Sequence, residues 1–379
     1  MTHGLRPLTR LSYFADAHVF GMRAAGFLAT NLALHVVTAL LVFALARRRL
    51  AIAGALVAAL VFALQPTNGE VVGYVSGRST GLMAPLVLGA LLLHDRNRRV
   101  GGLACFALAC LAKEVALVFP ALVLVWDAST GAPWRVVARR AAPYVITAVV
   151  MAGVLLLAAT YRARLAYSLE LRSMTDSLVA NGRAIPRMLA LWVRPDQLSV
   201  DHELSPTGHA AAGIAGVVGL GAIVVAAIAL RRRFPAVVLA FVWPIVALLP
   251  TSSIIAKLDL VTEKPLYLAW VGPAIVLGGA LAAGAGRRAV GAALVIAMTA
   301  LAIWRARVWS DPIRLWEEAT VRAPAKARCW NNLGAAYQAV GRDADAARAF
   351  DRALRLDPTD DTTRLNVETA RILGDMPLP

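Results

Sequence analysis

Six charged residues in this 379-residue sequence, Glu70, Arg78, Lys113, Glu114, Glu263 and Lys264, stand in short polar interruptions between long apolar runs. Arg and Lys there can hold a phosphate, and a carboxylate can accept the proton of an attacking hydroxyl. A cavity so lined suits a lipid-linked phosphate donor, with Arg78, Lys113 and Lys264 on the phosphate and Glu70 and Glu114 in the catalytic roles. Asn68, Glu263 and Tyr267 adjoin the set as candidate lining residues. The same residues also suit plain interfacial charges, because Lys and Arg snorkel readily. Asn31 and His35, four apart on one helix face, fit either a polar packing pair or part of a site. No phosphate-binding GxxxxGK[ST] loop, HExxH, CxxC or GxSxG pattern is present. No cofactor is implied; a divalent metal is left open, with no ligand cluster to decide it.

The residues that must position this set are overwhelmingly apolar. Hydrophobic residues make up 59% of the chain and charged ones 16%, against roughly 25% charged in a water-soluble domain. Runs such as Ala24–Ala46 and Ala210–Leu230 are long enough to cross a hydrocarbon core of about 30 Å. The opening thirty residues lack a charged leader, short apolar core and small-residue cleavage site, so the spans read as permanent. Apolar runs near 24–46, 50–64, 80–94, 100–112, 115–126, 141–160, 210–230, 235–250, 265–283 and 287–304 predict about ten spans. Lys113-Glu114 divides the stretch 100–126, because two charges at mid-span are costly in lipid.

Basic clusters occupy every second connection: Arg47–Arg49, Arg96/Arg98/Arg99, Arg135/Arg139/Arg140, Arg231–Arg233 and Arg287-Arg288. The positive-inside bias assigns those connections to the cytoplasm. The opposite loops (65–79, 113–114, 161–209 and 251–264), both termini and the tail then face outward. The expected location is a bacterial inner membrane with the tail in the periplasm. An amphipathic stretch at Ser177–Arg194 predicts a helix lying along the membrane surface. The net charge of +16 does not imply nucleic acid, since the segment from Ser310 onward holds 10 Lys/Arg against 11 Asp/Glu. The three cysteines imply no disulfide framework.

The tail carries a repeat signature. Trp330, Leu333, Gly334, Tyr337, Ala346, Phe350, Ala353 and Pro358 fall at tetratricopeptide offsets in a 34-residue unit spanning 327–360. Trp316, Ala319 and Pro324 match the second helix of a preceding repeat, and Thr362–Leu373 can form a capping helix. So short a stack suits either a helical cap on the membrane domain or a groove for a protein acceptor or partner. The predicted fold is all-α: a polytopic bundle over 1–307, then a short tetratricopeptide solenoid over 308–379.

In this order, several strings resemble the transmembrane and tetratricopeptide-repeat (TMTC) family. They are RPLTRLSYFADAHVFG with GFLATNLALHVVTALLVFAL, ALVFALQPTNGEVVGYVSGRS, CLAKEVALVFPALVLVWD, EKPLYLAWVG, and VWSDPIRLWEEA before the repeat. That family is similar to the GT-C glycosyltransferases, multi-span enzymes that use polyprenyl- or dolichyl-phosphate sugars; animal members look like protein O-mannosyltransferases. The resemblance implies that Glu70 matches the acid of an HPxHTE element, Arg78 the Arg of a GR element, and Lys113 and Glu114 a KE element. Glu263 and Tyr267 match an ER-x-x-YLP element. Thr80 stands where the family has Asp, Gln65 where His is common, and Lys264 where Arg is usual. The family's first span and first external loop, with its acidic pair, have no counterpart; Asp16 is a nearby acid placed after the RPLT element. The resulting expectation is a membrane glycosyltransferase moving a sugar from a polyprenyl-phosphate donor to a periplasmic protein or glycan. Alternatives are a non-catalytic membrane-anchored scaffold or degenerate pseudoenzyme, and a lipid-linked sugar transporter.

Overall fold

A computed structural model describes residues 6–374, except 207 and 254. The apolar runs become helices, and no strand occurs among the described residues. In chain order, α1 (Pro7–Phe20), α2 (Ala24–Ala46) and α3 (Ile52–Ala63) lead into a turn and the short α4 (Gly69–Val72). Then come α5 (Arg78–Asp95), α6 (Arg99–Ala112), α7 (Phe119–Ala128), α8 (Trp134–Leu157) and α9 (Ala159–Leu171). Next are α10 (Met174–Ala190), α11 (Ala210–Leu230), a π-turn at Val238–Val242 running into α12 (Trp243–Leu248), α13 (Leu266–Ala269), α14 (Val271–Ala282) and α15 (Ala285–Ser310). The tail holds α16 (Pro312–Arg322), α17 (Ala327–Gln338), α18 (Asp343–Leu356) and α19 (Asp361–Gly374).

Among the described residues, five stretches are long and apolar enough to cross a membrane: α2, Val75–Asp95, α8, α11 and α15. A sixth arises if α3 and the 66–72 segment, bent by 52°, form one broken span. Arg99–Ala112, Val238–Leu248 and Leu266–Ala282 are apolar but shorter. Helix length therefore supports fewer crossings than a count of apolar runs, because several runs end early at charges or prolines. Lys113 terminates α6, leaving a 14-residue helix before it and the 10-residue α7 after the following turn.

The basic connections gather at one end. Arg48 pairs with Asp95, Arg49 bonds Trp126 O and Ser129 and lies over the Trp126 ring, and Arg140 pairs with Asp127. Arg231 reaches Ala132 O and covers the Trp134 ring. Loops 65–77, 113–114 and 251–264 meet at the other end, where the tail also docks.

The amphipathic stretch forms α10, and its apolar stripe faces protein. Ala180, Ala184, Ile185 and Met188 are buried in the core. Gly182, Gly213 and Gly216 let α10 and α11 touch backbone to backbone: a Cβ on Gly216 would collide with the Gly182 carbonyl. The helix expected on the surface thus has its stripe covered by protein, while its neighbouring edge, Val179 and Gly182, packs on the small residues of α11. Gly219, one turn on, has nothing within 4 Å of its would-be Cβ. Gly216→Leu should therefore destabilise the folded protein by about 1–3 kcal/mol while Gly219→Leu is near neutral. Thermal unfolding of the two variants in detergent checks this; equal midpoints would refute the close packing.

In the tail, Gly334 is small because a Cβ would come 2.6 Å from the Phe350 ring. Leu333, Ala346, Phe350 and Ala353 are buried between α17 and α18. Trp330 Nε1 donates to Pro324 O at 2.9 Å, and Tyr337 Oη to Glu317 at 2.7 Å, joining the repeat to α16. Pro358 follows α18, and α19 supplies the cap.

Candidate functional site

Where the non-basic loops meet, the bundle and the tail line an open cavity of about 700 Å³. Glu70, Lys113, Glu114 and Lys264 all line it. Their backbones explain the convergence. The chain leaves α6 at Ala112 and turns extended at Lys113 (φ −159°, ψ 129°), which swings Lys113 and Glu114 off the helix. Pro66 opens the turn that carries Glu70 on α4, and Glu263-Lys264-Pro265 precedes α13.

Each of these groups has a defined setting. Lys113 Nζ donates to Thr80 Oγ1 at 2.7 Å. Burial, then the positive charges of Arg6 and Lys264, press its ammonium down to about 7, against the pull of Glu114 and Glu70. Both Glu114 oxygens accept from Arg6, at 2.9 and 2.5 Å. Glu70 Oε2 accepts the backbone N–H groups of Glu263 and Lys264, at 3.1 and 2.9 Å, while Oε1 lies 3.3 Å from Lys264 Nζ. Lys264 also donates to Ser76 and sits over the Tyr74 ring.

The other residues singled out in the sequence lie behind the cavity wall. Arg78 is 0% exposed and ion-paired with Asp16 at 2.5 Å. Its guanidinium also donates to Asn31 Oδ1 at 2.6 Å and Phe27 O at 2.8 Å, so it clamps α1 and α2 onto α5. Asp16 is thereby a structural counter-ion. Glu263 is buried, accepts from Ser199 N at 2.8 Å, and lies 3.2 Å from His202 Nε2; it ties loop 251–264 to loop 195–202. Tyr267 is buried beside His35, with Oη 2.8 Å from Nδ1, while His35 Nε2 lies 3.0 Å from Ala63 O. If Nε2 carries the proton and donates to that carbonyl, Nδ1 accepts the tyrosine hydroxyl. Asn68 Nδ2 donates to Phe62 O at 2.7 Å.

The structure adds residues that sequence reasoning passed over. Lys257, Arg164 and Tyr161 line the cavity, as do Asp201, Asp259 and, from the tail, Trp316, Arg328 and Asn332. Burial lowers the Lys257 ammonium to about 8, opposed by Asp259 and Glu70. No ion pair forms at Lys113, Lys257 or Arg164 among the described residues. By contrast, Asp201 and Asp259 are both engaged by the tail. Lys326 Nζ is 2.6 Å from each, and Arg328 bonds both, at 2.8 Å to Asp201 through Nε and 3.1 Å to Asp259. Lys257 carried the only available sequence signal, a cation in a loop already holding Asp259, Glu263 and Lys264.

Among the described residues no group of three or more His, Cys, Asp or Glu is placed to hold a metal ion. Three of the cations that line the cavity lack carboxylate partners, whereas its carboxylates are all occupied. A family model for the tetratricopeptide repeat matches residues 327–360. No match to the chain was found among curated proteins or among solved structures.

Proposed function

We propose that the chain is a multi-pass membrane glycosyltransferase that takes a sugar from a polyprenyl-phosphate donor and passes it to an acceptor on the side where the tetratricopeptide segment lies. The reading places it in a bacterial inner membrane with that segment in the periplasm. The observation that carries it is the convergence of Lys113, Lys257 and Arg164, all without carboxylate partners, on one cavity at the end of an apolar bundle. Charge-assisted bonds from these groups suit the phosphodiester monoanion of the donor and the second charge that develops as the phosphate leaves. Thr80 contributes here: a carboxylate at that position would neutralise Lys113, whereas its hydroxyl accepts one hydrogen bond and leaves the positive charge unspent.

In the reaction, the acceptor hydroxyl oxygen forms a bond to the anomeric carbon as the bond from that carbon to the phosphate oxygen breaks. The electron pair leaves with the polyprenyl phosphate, held by Lys113 and Lys264. The hydroxyl proton passes to Glu70 Oε1, whose contact with Lys264 loosens when Lys264 turns to the leaving phosphate. Glu114, fixed by Arg6, shapes the pocket beside Lys113.

A second reading follows from one observation. Every carboxylate lining the cavity is already paired, which suits an anion-binding scaffold that performs no transfer. Incubating the purified full chain in detergent with a radiolabelled polyprenyl-phosphate sugar and periplasmic extract separates the two. Labelled acceptor supports the enzyme. Saturable donor binding with no label in acceptor leaves the scaffold, and no donor binding rejects both.

A further inference from the structure

The 66–72 segment is a partition with two faces. On one side Glu70 lines the large cavity. On the other, Gly69 and Gly73, one turn apart, border a separate cleft of about 290 Å³. Leu28 and Leu32 of α2 form one wall; Ala302, Arg305 and Trp309, from the last turns of α15, form the other. The two glycines seat Trp309, for a Cβ on Gly69 would come 2.7 Å from the indole Nε1.

This cleft is apolar at its mouth and polar within. Leu32, which lines it, is 52% exposed, so its rim continues into the outer surface of α2. Inside, Arg305 is 1% exposed and gives only Nη1 to a partner, Glu318 at 2.6 Å. Its Nε and Nη2 have no partner, nor do Trp309 Nε1 and Asn68 Oδ1, all of them buried. A buried donor left unpaired is destabilising, a charged one most of all. Three unpaired donors and one acceptor in a cleft with an apolar mouth match one ligand chemistry: a phosphate ester bearing a hydroxyl or ammonium on one side and hydrocarbon on the other.

We propose that this cleft binds the headgroup of a membrane glycerophospholipid. Its phosphate accepts from Arg305 and Trp309, its polar alcohol donates to Asn68 Oδ1, and its acyl chains lie along α2 and α15. The volume accommodates a headgroup. Arg305 sits near the end of its span closest to the tail, a position that suits contact with headgroup phosphates. Because the same guanidinium holds Glu318 of α16, the lipid also braces the junction between bundle and tail. The proposal is independent of sugar transfer.

Native mass spectrometry of the full chain in detergent tests it, with dioleoyl phosphatidylglycerol as probe. The expected result is a phosphatidylglycerol adduct that survives gas-phase activation, where dioleoylglycerol, lacking the phosphate, gives none. Arg305→Ala should reduce the adduct at least tenfold. Ala302→Phe, which fills the cleft and spares the Arg305–Glu318 pair, should do the same with helicity unchanged by circular dichroism. Arg164→Ala, in the other cavity, should leave it intact. An adduct unaltered by Ala302→Phe in the folded protein, or equal retention of dioleoylglycerol, overturns the proposal. So does full competition by inorganic phosphate, which would make the site one for the free ion. Displacement by an equimolar polyprenyl phosphate would reassign the cleft to that lipid.

Discussion

Lys113→Ala should lower sugar transfer by roughly 100-fold, the loss typical of removing one preorganised group that stabilises developing charge. The acidity of this ammonium gives the prediction a second readout. Burial and the charge of Arg6 lower its pKa to about 7 from the ordinary 10.5. Below that pH it is charged and ready for an anion. As pH rises from 7 to 9 it loses its proton, so donor binding must draw a proton from solution and the donor KM should climb. Stability should move the other way: between about 7 and 10.5 the unfolded chain holds more protons than the folded one at this site, so raising pH favours the folded state. Lys113→Arg, charged throughout, should remove the part of the donor KM profile centred near pH 7 and leave the part due to Lys257, lowered to about 8, even if its wider fork binds less well. Initial rates across the range, with thermal midpoints on the same samples, decide the matter. A wild-type donor KM that stays flat from pH 6 to 9 removes Lys113 from the phosphate site.

Arg78→Ala is expected to be the most destabilising single change, by about 3–5 kcal/mol, because it strands the buried Asp16 carboxylate without its cation. The reason lies in geometry. Arg78 is fully enclosed and ties three helices, so its loss removes the ion pair together with the bonds to Asn31 and the Phe27 carbonyl. Removing Asp16 as well should recover part of the loss, since the orphaned charge goes with it. Fluorescence-detected size exclusion after heating measures both. A stable Arg78→Ala protein that has lost donor binding would restore the residue to the phosphate site and refute the structural assignment.

Helix positions were readable because apolar length and basic punctuation are local properties. The span from Ala24 to Ala46 is bounded by Arg23 and Arg47, and the helix occupies those residues. The repeat was readable for the same reason: Gly334 and Phe350 are paired by a fixed spacing. The site was half visible. Lys113, Glu114, Glu70 and Lys264 converge as charges on one end of the bundle, but Arg78 looked equivalent until its partner was known. Asp16 is 62 residues away, and nothing local couples them. Lys257 and Arg164 sit in stretches without apolar periodicity, where only the tertiary fold decides which side chains face inward. The α10 stripe misled for a related reason: amphipathicity reports that a face is covered, and not whether lipid or protein covers it.

The clamp between loops and tail bears on how the molecule is made. Asp201 and Asp259 emerge from the ribosome well before the cations that bind them; Lys326 lies 125 residues after the first and 67 after the second. Until then two like charges on neighbouring loops repel each other in the nascent chain. The wall they share with the tail therefore lacks its counter-charges until Lys326 and Arg328 are made. Completion of that wall of the large cavity waits on the arrival of α17, which brings Arg328 to the two carboxylates.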